Sequence, residues 1–126
     1  MKNLEVLGTK LRVAGFGCLG MVAPDRLAYI LTQIVAMVAM STGGMAPQIW
    51  TYPLPDGRGG EGQTALQPLV ESFLALDTWP ALKHRGKAIP KVYVVLASCR
   101  PFSMDAVAAY LAKEIGPVMR MGSFEI

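Results

Sequence analysis

The stretch VESFLALDTWP, residues 70–80, holds Glu71, Ser72 and Asp77 within seven positions. Read as a strand over 72–79, it puts Phe73, Ala75, Asp77 and Trp79 on one side and Leu74, Leu76 and Thr78 on the other. Both sides are apolar enough for burial, and an unpaired buried carboxylate is costly. Asp77 is therefore either paired, with a basic group or backbone amides, or functional. Cys99 closes the next strand, just before Arg100 and Pro101. A thiol beside a cation can react or return a proton, and the alternative is a small buried hydrophobe. The single histidine, His84, and the lack of any CxxC exclude a histidine-based metal site and a Ser-His-Asp triad built on a second histidine.

These groups need elements to hold them. KLRVAGFG, 10–17, predicts a first strand. Pro24 suits the first position of a helix running to about Thr42, with Leu27, Leu31, Ile34 and Val38 on one face and Gly43-Gly44 as its stop. QIWTY, 48–52, predicts a second strand, DGRGGEG, 56–62, a loop, and TALQPLV, 64–70, a third strand. Pro68 in that third strand implies an edge or a bulge. After strand 72–79 comes a polar segment, 81–91, with Lys83, His84, Arg85, Lys87 and Lys91. It reads as a solvated hairpin loop, or alternatively as an anion-binding loop. VYVVLAS, 92–98, is rich in β-branched and aromatic residues and predicts the clearest strand. Ser103 fits an N-cap and Asp105 a first helical turn, for a helix over 104–115 that Gly116-Pro117 ends; 118–126 predicts a last strand.

The order β-α-β-β-β-β-α-β implies an α+β domain spanning 1–126: a two-layer sandwich of a mostly antiparallel sheet with two helices on one face. The other face still needs cover, which implies a homodimer built sheet to sheet.

The 126-residue chain is 52% hydrophobic and 17% charged, which excludes a disordered chain. A net charge of +3 without a long basic run gives no nucleic-acid surface. The uncharged run 27–40 is shorter than the roughly 18–20 apolar residues that span a bilayer. Two cysteines make no disulfide framework, and MKNLEVLGTK lacks a signal peptide's apolar core, so a cytoplasmic, non-membrane protein is expected.

Glu71-Ser72, then Asp77-Thr78-Trp79-Pro80, then Ser98-Cys99-Arg100-Pro101-Phe102 resembles the short prokaryotic form of the S-adenosylmethionine decarboxylase family. The resemblance spans most of the chain, and Thr-Trp-Pro at fixed distance from Glu-Ser carries most of it. It implies the fold of that family and autocatalytic cleavage between Glu71 and Ser72. By this likeness Ser72 would become a pyruvoyl group, an electron sink for loss of CO₂. The lyase activity would act on S-adenosylmethionine or on a smaller amino acid such as arginine or ornithine, in polyamine biosynthesis. By the same likeness Cys99 returns a proton after decarboxylation, and Thr64 falls where a family serine assists processing. Asp77 stands where a family histidine helps remove the serine α-proton. Phe73 replaces the histidine after the serine, and with Trp79 is expected at the substrate. Ala81 replaces a glutamate that helps hold the ribose. These replacements also fit an alternative: a non-processing homologue acting as a binding or regulatory subunit.

Overall fold

The computed structural model describes residues 11–55, 60–80, 83–84 and 87–126. Strands β1 (Arg12–Leu19), β2 (Gln48–Pro53), β3 (Glu61–Leu69), β4 (Ser72–Trp79), β5 (Lys83–His84), β6 (Lys87–Ala88), β7 (Lys91–Ser98) and β8 (Val118–Glu125) accompany helices α1 (Leu27–Met37) and α2 (Met104–Glu114). Six strands form one sheet in the order β2-β3-β4-β7-β1-β8, and every neighbouring pair is antiparallel. The expected α+β class therefore holds, with a wholly antiparallel main sheet.

Alternation decides what each face carries. Ala14, Phe16 and Cys18 of β1, Leu74 and Leu76 of β4, and Val92, Val94 and Leu96 of β7 point to one side, where they meet Leu27, Ile30, Leu31 and Ile34 of α1 and Val107 and Leu111 of α2 in one core. Both helices thus cover the same face.

Helix α1 ends at Met37 rather than near Thr42. Its C-terminus is closed by Met40 N–H donating to Val35 O at 3.4 Å and Ala39 N–H to Ala36 O at 3.3 Å, with Ala39 left-handed at φ 54°. This is the Schellman pattern, with alanine in the place glycine usually takes. Ser103 caps α2 as expected, its hydroxyl accepting from Ala106 N at 3.0 Å.

Pro68 is not on an edge strand, since β3 lies between β2 and β4. The β2–β3 pairing stops at Gln48–Leu66, so Pro68 lies beyond the end of β2 and no ladder bond is lost there. The 81–91 segment contains the small β5–β6 hairpin. The side chains of Lys83, His84, Arg85 and Lys87 lie outside the described residues, as do Lys10 and residues 56–59. Among the described residues no helix is long and apolar enough to cross a membrane.

Candidate functional site

Register lays the uncovered face of the sheet out in lateral rows. Trp50, Thr64, Asp77, Tyr93, Gly17 and Arg120 stand in one row across all six strands. Directly opposed antiparallel residues share a face, so the whole row points away from the helices. The next row is Gln48, Leu66, Ala75, Val95, Gly15 and Gly122, and the one beyond it holds Pro68, Phe73, Ala97, Val13 and Phe124. One row is polar and the two beside it are mainly apolar.

Asp77 is the centre of the polar row. Its Oδ1 accepts from the Thr64 hydroxyl at 2.5 Å and from the Tyr52 hydroxyl at 3.3 Å, and its Oδ2 accepts from Trp79 Nε1 at 3.2 Å. Tyr52 reaches Asp77 by laying its ring across Gly62, where an added Cβ would stand 2.9 Å from Cε2 of the ring. The Tyr93 phenol is pushed above its ordinary value, first by burial and then by its hydrogen bond to Asp77. Neutral hydroxyl and indole donors thus fix the carboxyl group. The paired reading of Asp77 is the one the structure supports, but its partners are not the basic group or backbone amides that burial alone suggested.

A hollow of about 210 Å³ lined by Thr64, Ala75, Asp77, Tyr93 and Val95 opens beside Asp77. On the far side of Tyr93, a second hollow of about 270 Å³ is lined by Gly15, Gly17, Tyr93, Arg120 and Gly122. Gly15 and Gly122 have nothing within 4 Å of an added Cβ, so the sheet floor there is bare.

Ser72 lies elsewhere. It starts β4 on the helix-facing side with Leu74 and Leu76, whereas Asp77 points from the opposite side five residues on. At roughly 3.3 Å of rise per residue, these two positions are about 17 Å apart along the strand. Ser72 Oγ is buried and has no hydrogen-bond partner. Its predecessor Glu71 is exposed and left-handed at φ 61°, in the two-residue turn that follows the Leu69–Ser72 pair. A non-glycine residue held there stores about 1–2 kcal/mol of strain. The turn is tied down by Val70 N–H donating to Ser41 O at 2.9 Å.

Cys99 is half-buried against the core, just past the end of β7, at the same end of the sheet as Ser72. Phe73 and Trp79 are 40% and 39% exposed at opposite ends of β4, about 20 Å apart by strand rise, too far to grip one small molecule together. The structure therefore brings Thr64, Asp77 and Trp79 together, and leaves Ser72 and Cys99 at the other end. Trp50, Tyr93 and Arg120 complete the row and Tyr52 reaches into it from the neighbouring one, without having been singled out in the sequence. Only strand parity could have flagged them, and parity does not say which strands are neighbours. No cluster of metal-ligating side chains occurs among the described residues.

Set against family models, curated proteins and solved structures, the chain matches none of them.

Proposed function

We propose that the chain is an S-adenosylmethionine decarboxylase-like protein with that family's fold. It cleaves itself between Glu71 and Ser72 and decarboxylates S-adenosylmethionine or a smaller amino acid such as arginine or ornithine, in polyamine biosynthesis. The observation that carries this reading is a buried Ser72 hydroxyl with no partner, placed directly after a left-handed Glu71. An orphaned hydroxyl loses no hydrogen bond when it turns nucleophile, and opening the Glu71–Ser72 peptide releases backbone strain. Ser72 Oγ adds to the Glu71 carbonyl carbon, the C–N bond breaks, and the freed nitrogen takes the hydroxyl proton. The resulting ester then loses the Glu71 carboxylate by elimination, the Ser72 α-proton passing to water, and hydrolysis of the remaining enamine, through its imine tautomer, releases ammonia.

The residues at this position fit the pyruvoyl group that such cleavage generates, which supplies an electron sink for decarboxylation of an amine-bearing substrate. Cys99, at the same end of the sheet, is the proton donor in this reading. Asp77 is not the base for processing in its own chain, because it points from the other side of β4. A second copy of the chain covers the apolar rows around Ala75, Val95 and Val13, making the homodimer.

Intact mass of the purified protein tests this. Two fragments, 1–71 and 72–126 with a pyruvoyl terminus, are expected, and Ser72→Ala gives one. A single full-length mass after prolonged incubation of the wild type overturns the reading.

The second reading is a non-processing homologue that binds or regulates without catalysis. It rests on Asp77: its acceptor oxygens already carry donors from Thr64, Tyr52, Trp79 and Tyr93 and lie away from Ser72, so the base expected for processing is missing. The same mass measurement separates the two readings.

A further inference from the structure

The uncovered face of the sheet is lopsided in bulk. Where β7 pairs with β1, Tyr93 stands beside Gly17 and Val95 beside Gly15, and Gly122 of β8 carries the second row onward. The Tyr93 ring is 42% exposed. An added Cβ would meet nothing within 4 Å at Gly15 or Gly122, and only Arg120 O, at 3.9 Å, at Gly17. The face thus has a ridge on β7 and, one strand away, a glycine-floored trough of about 270 Å³. Charge is divided in the same sense. Asp77, on β4, is held by neutral donors that leave its charge in place. Arg120, on β8 at the other end of the row, has no hydrogen bond or ion pair among the described residues.

Ridge and trough lie on either side of the line between β7 and β1. A two-fold axis along that line, parallel to the strands, lays β7 over the partner's β1 and β4 over the partner's β8, with every row kept. Tyr93 then falls on the partner's Gly17, Val95 on the partner's Gly15, and Ala75 on the partner's Gly122. Phe73 meets the partner's Phe124, and the partner's Arg120 stands over Asp77. A carboxylate closed off from water needs a counter-charge, and this guanidinium brings one without displacing the donors already on the oxygens. A two-fold axis across the strands does the opposite: it stacks β7 on β7 and trough on trough, leaving a void. Packed sheets keep their strand directions within about 30°, so rows close to the axis stay in step. The four overlapping strands have eight residues each, about 19 by 26 Å, which buries about 1,000 Å² over two copies, the size a specific interface needs.

We infer that two copies pack about this axis, the Tyr93 ridge of each filling the glycine trough of the other, with Asp77 and Arg120 as the opposite charges that set the register between them. The inference rests on the homodimer proposed above and needs no cleavage. It gives the polar row a role between subunits, at the end of β4 away from Ser72.

Cross-linking tests it on the full chain in a Ser72→Ala, Cys99→Ser background, where each copy stays uncleaved and Cys18, the one remaining native cysteine, is buried. Phe73→Cys and Phe124→Cys, both at exposed positions, are placed on separate chains and co-expressed. In this register the two positions face each other about 10 Å apart at the backbone, whereas like positions in the two copies are about 17 Å apart. A short bismaleimide is expected to link the co-expressed pair and to leave each variant unlinked when it is expressed alone. Arg120→Glu, which sets like charges against each other, is expected to weaken the dimer at least about tenfold in light scattering across a dilution series. A wild type that is monomeric at every concentration overturns the homodimer and this inference together. A stable dimer whose co-expressed pair does not link, whose single variants link equally well, or whose affinity survives Arg120→Glu keeps the homodimer and overturns this register alone.

Discussion

Thr64 and Asp77 stand directly opposite each other on β3 and β4, and the Thr64 hydroxyl donates to Asp77 Oδ1 at 2.5 Å. A hydrogen bond to a carboxylate contributes more than a neutral one. Thr64→Val is expected to cost about 1.5–3 kcal/mol in urea unfolding. In a double-mutant cycle with Asp77→Asn, a coupling of at least about 0.5 kcal/mol is expected. Strict additivity would mean that the two side chains do not act as a unit.

Tyr110 sets a pH prediction. Its phenol is buried without a hydrogen-bond partner and is pushed from 10.0 up to about 12, mainly by burial, with Glu114 and Tyr29 adding and Arg26 opposing. A raised folded-state value means that the native state holds its proton longer than the unfolded state. The associated stability is complete below pH 10.0 and is lost as pH climbs towards about 12. Tyr110→Phe should flatten that decline. It should also raise stability at neutral pH by about 1 kcal/mol, because it removes an unsatisfied buried hydroxyl. Thermal melts of both proteins across this pH range would show it, and an unchanged alkaline slope in the variant would contradict it.

Two backbone positions predict opposite signs. An added Cβ at Gly116 would collide with the main-chain Leu19 O, where the end of α2 crosses the end of β1. Gly116→Ala should destabilise by about 3 kcal/mol, because the Leu19 carbonyl is main chain and cannot rotate away. Ala39 is a left-handed alanine at the end of α1, so Ala39→Gly should stabilise by about 1 kcal/mol. Chemical denaturation of the two variants checks both, and a shift in the same direction for each would refute the backbone argument.

The apolar rows predict association. Val95 lies mid-sheet on the uncovered face, between Ala75 and Gly15. Val95→Lys places a charge where the second copy is proposed to pack, and should shift the protein from dimer to monomer in light scattering without lowering its helix signal. A wild type that is monomeric at high concentration, or a variant that remains dimeric, removes this face as the interface.

Much of the architecture was legible because local chemistry reports it directly. Val92, Val94 and Leu96 alternate with exposed or half-buried positions, so β7 and its buried side follow from period alone. Ser103 and Asp105 announced the start of α2 because a cap is a contact within one turn. The end of α1 was misplaced because glycine is the default left-handed residue, and here alanine takes that conformation ahead of Gly43. Pro68 implied an edge or a bulge, and is neither marker here, because the length of the neighbouring strand is not written in β3 itself.

By itself the sequence determined the alternation of β4, and with it that Ser72 and Asp77 fall on opposite sides of the strand, since a period of two permits nothing else. It also supplied the apolar faces that make two helices and a sheet collapse into one core. Only the tertiary structure decided that Thr64, Asp77, Tyr93 and Arg120 share a row. Strand order and register come from how separate segments of the chain pack together. No local pattern encodes which strand lies beside which, or at what offset.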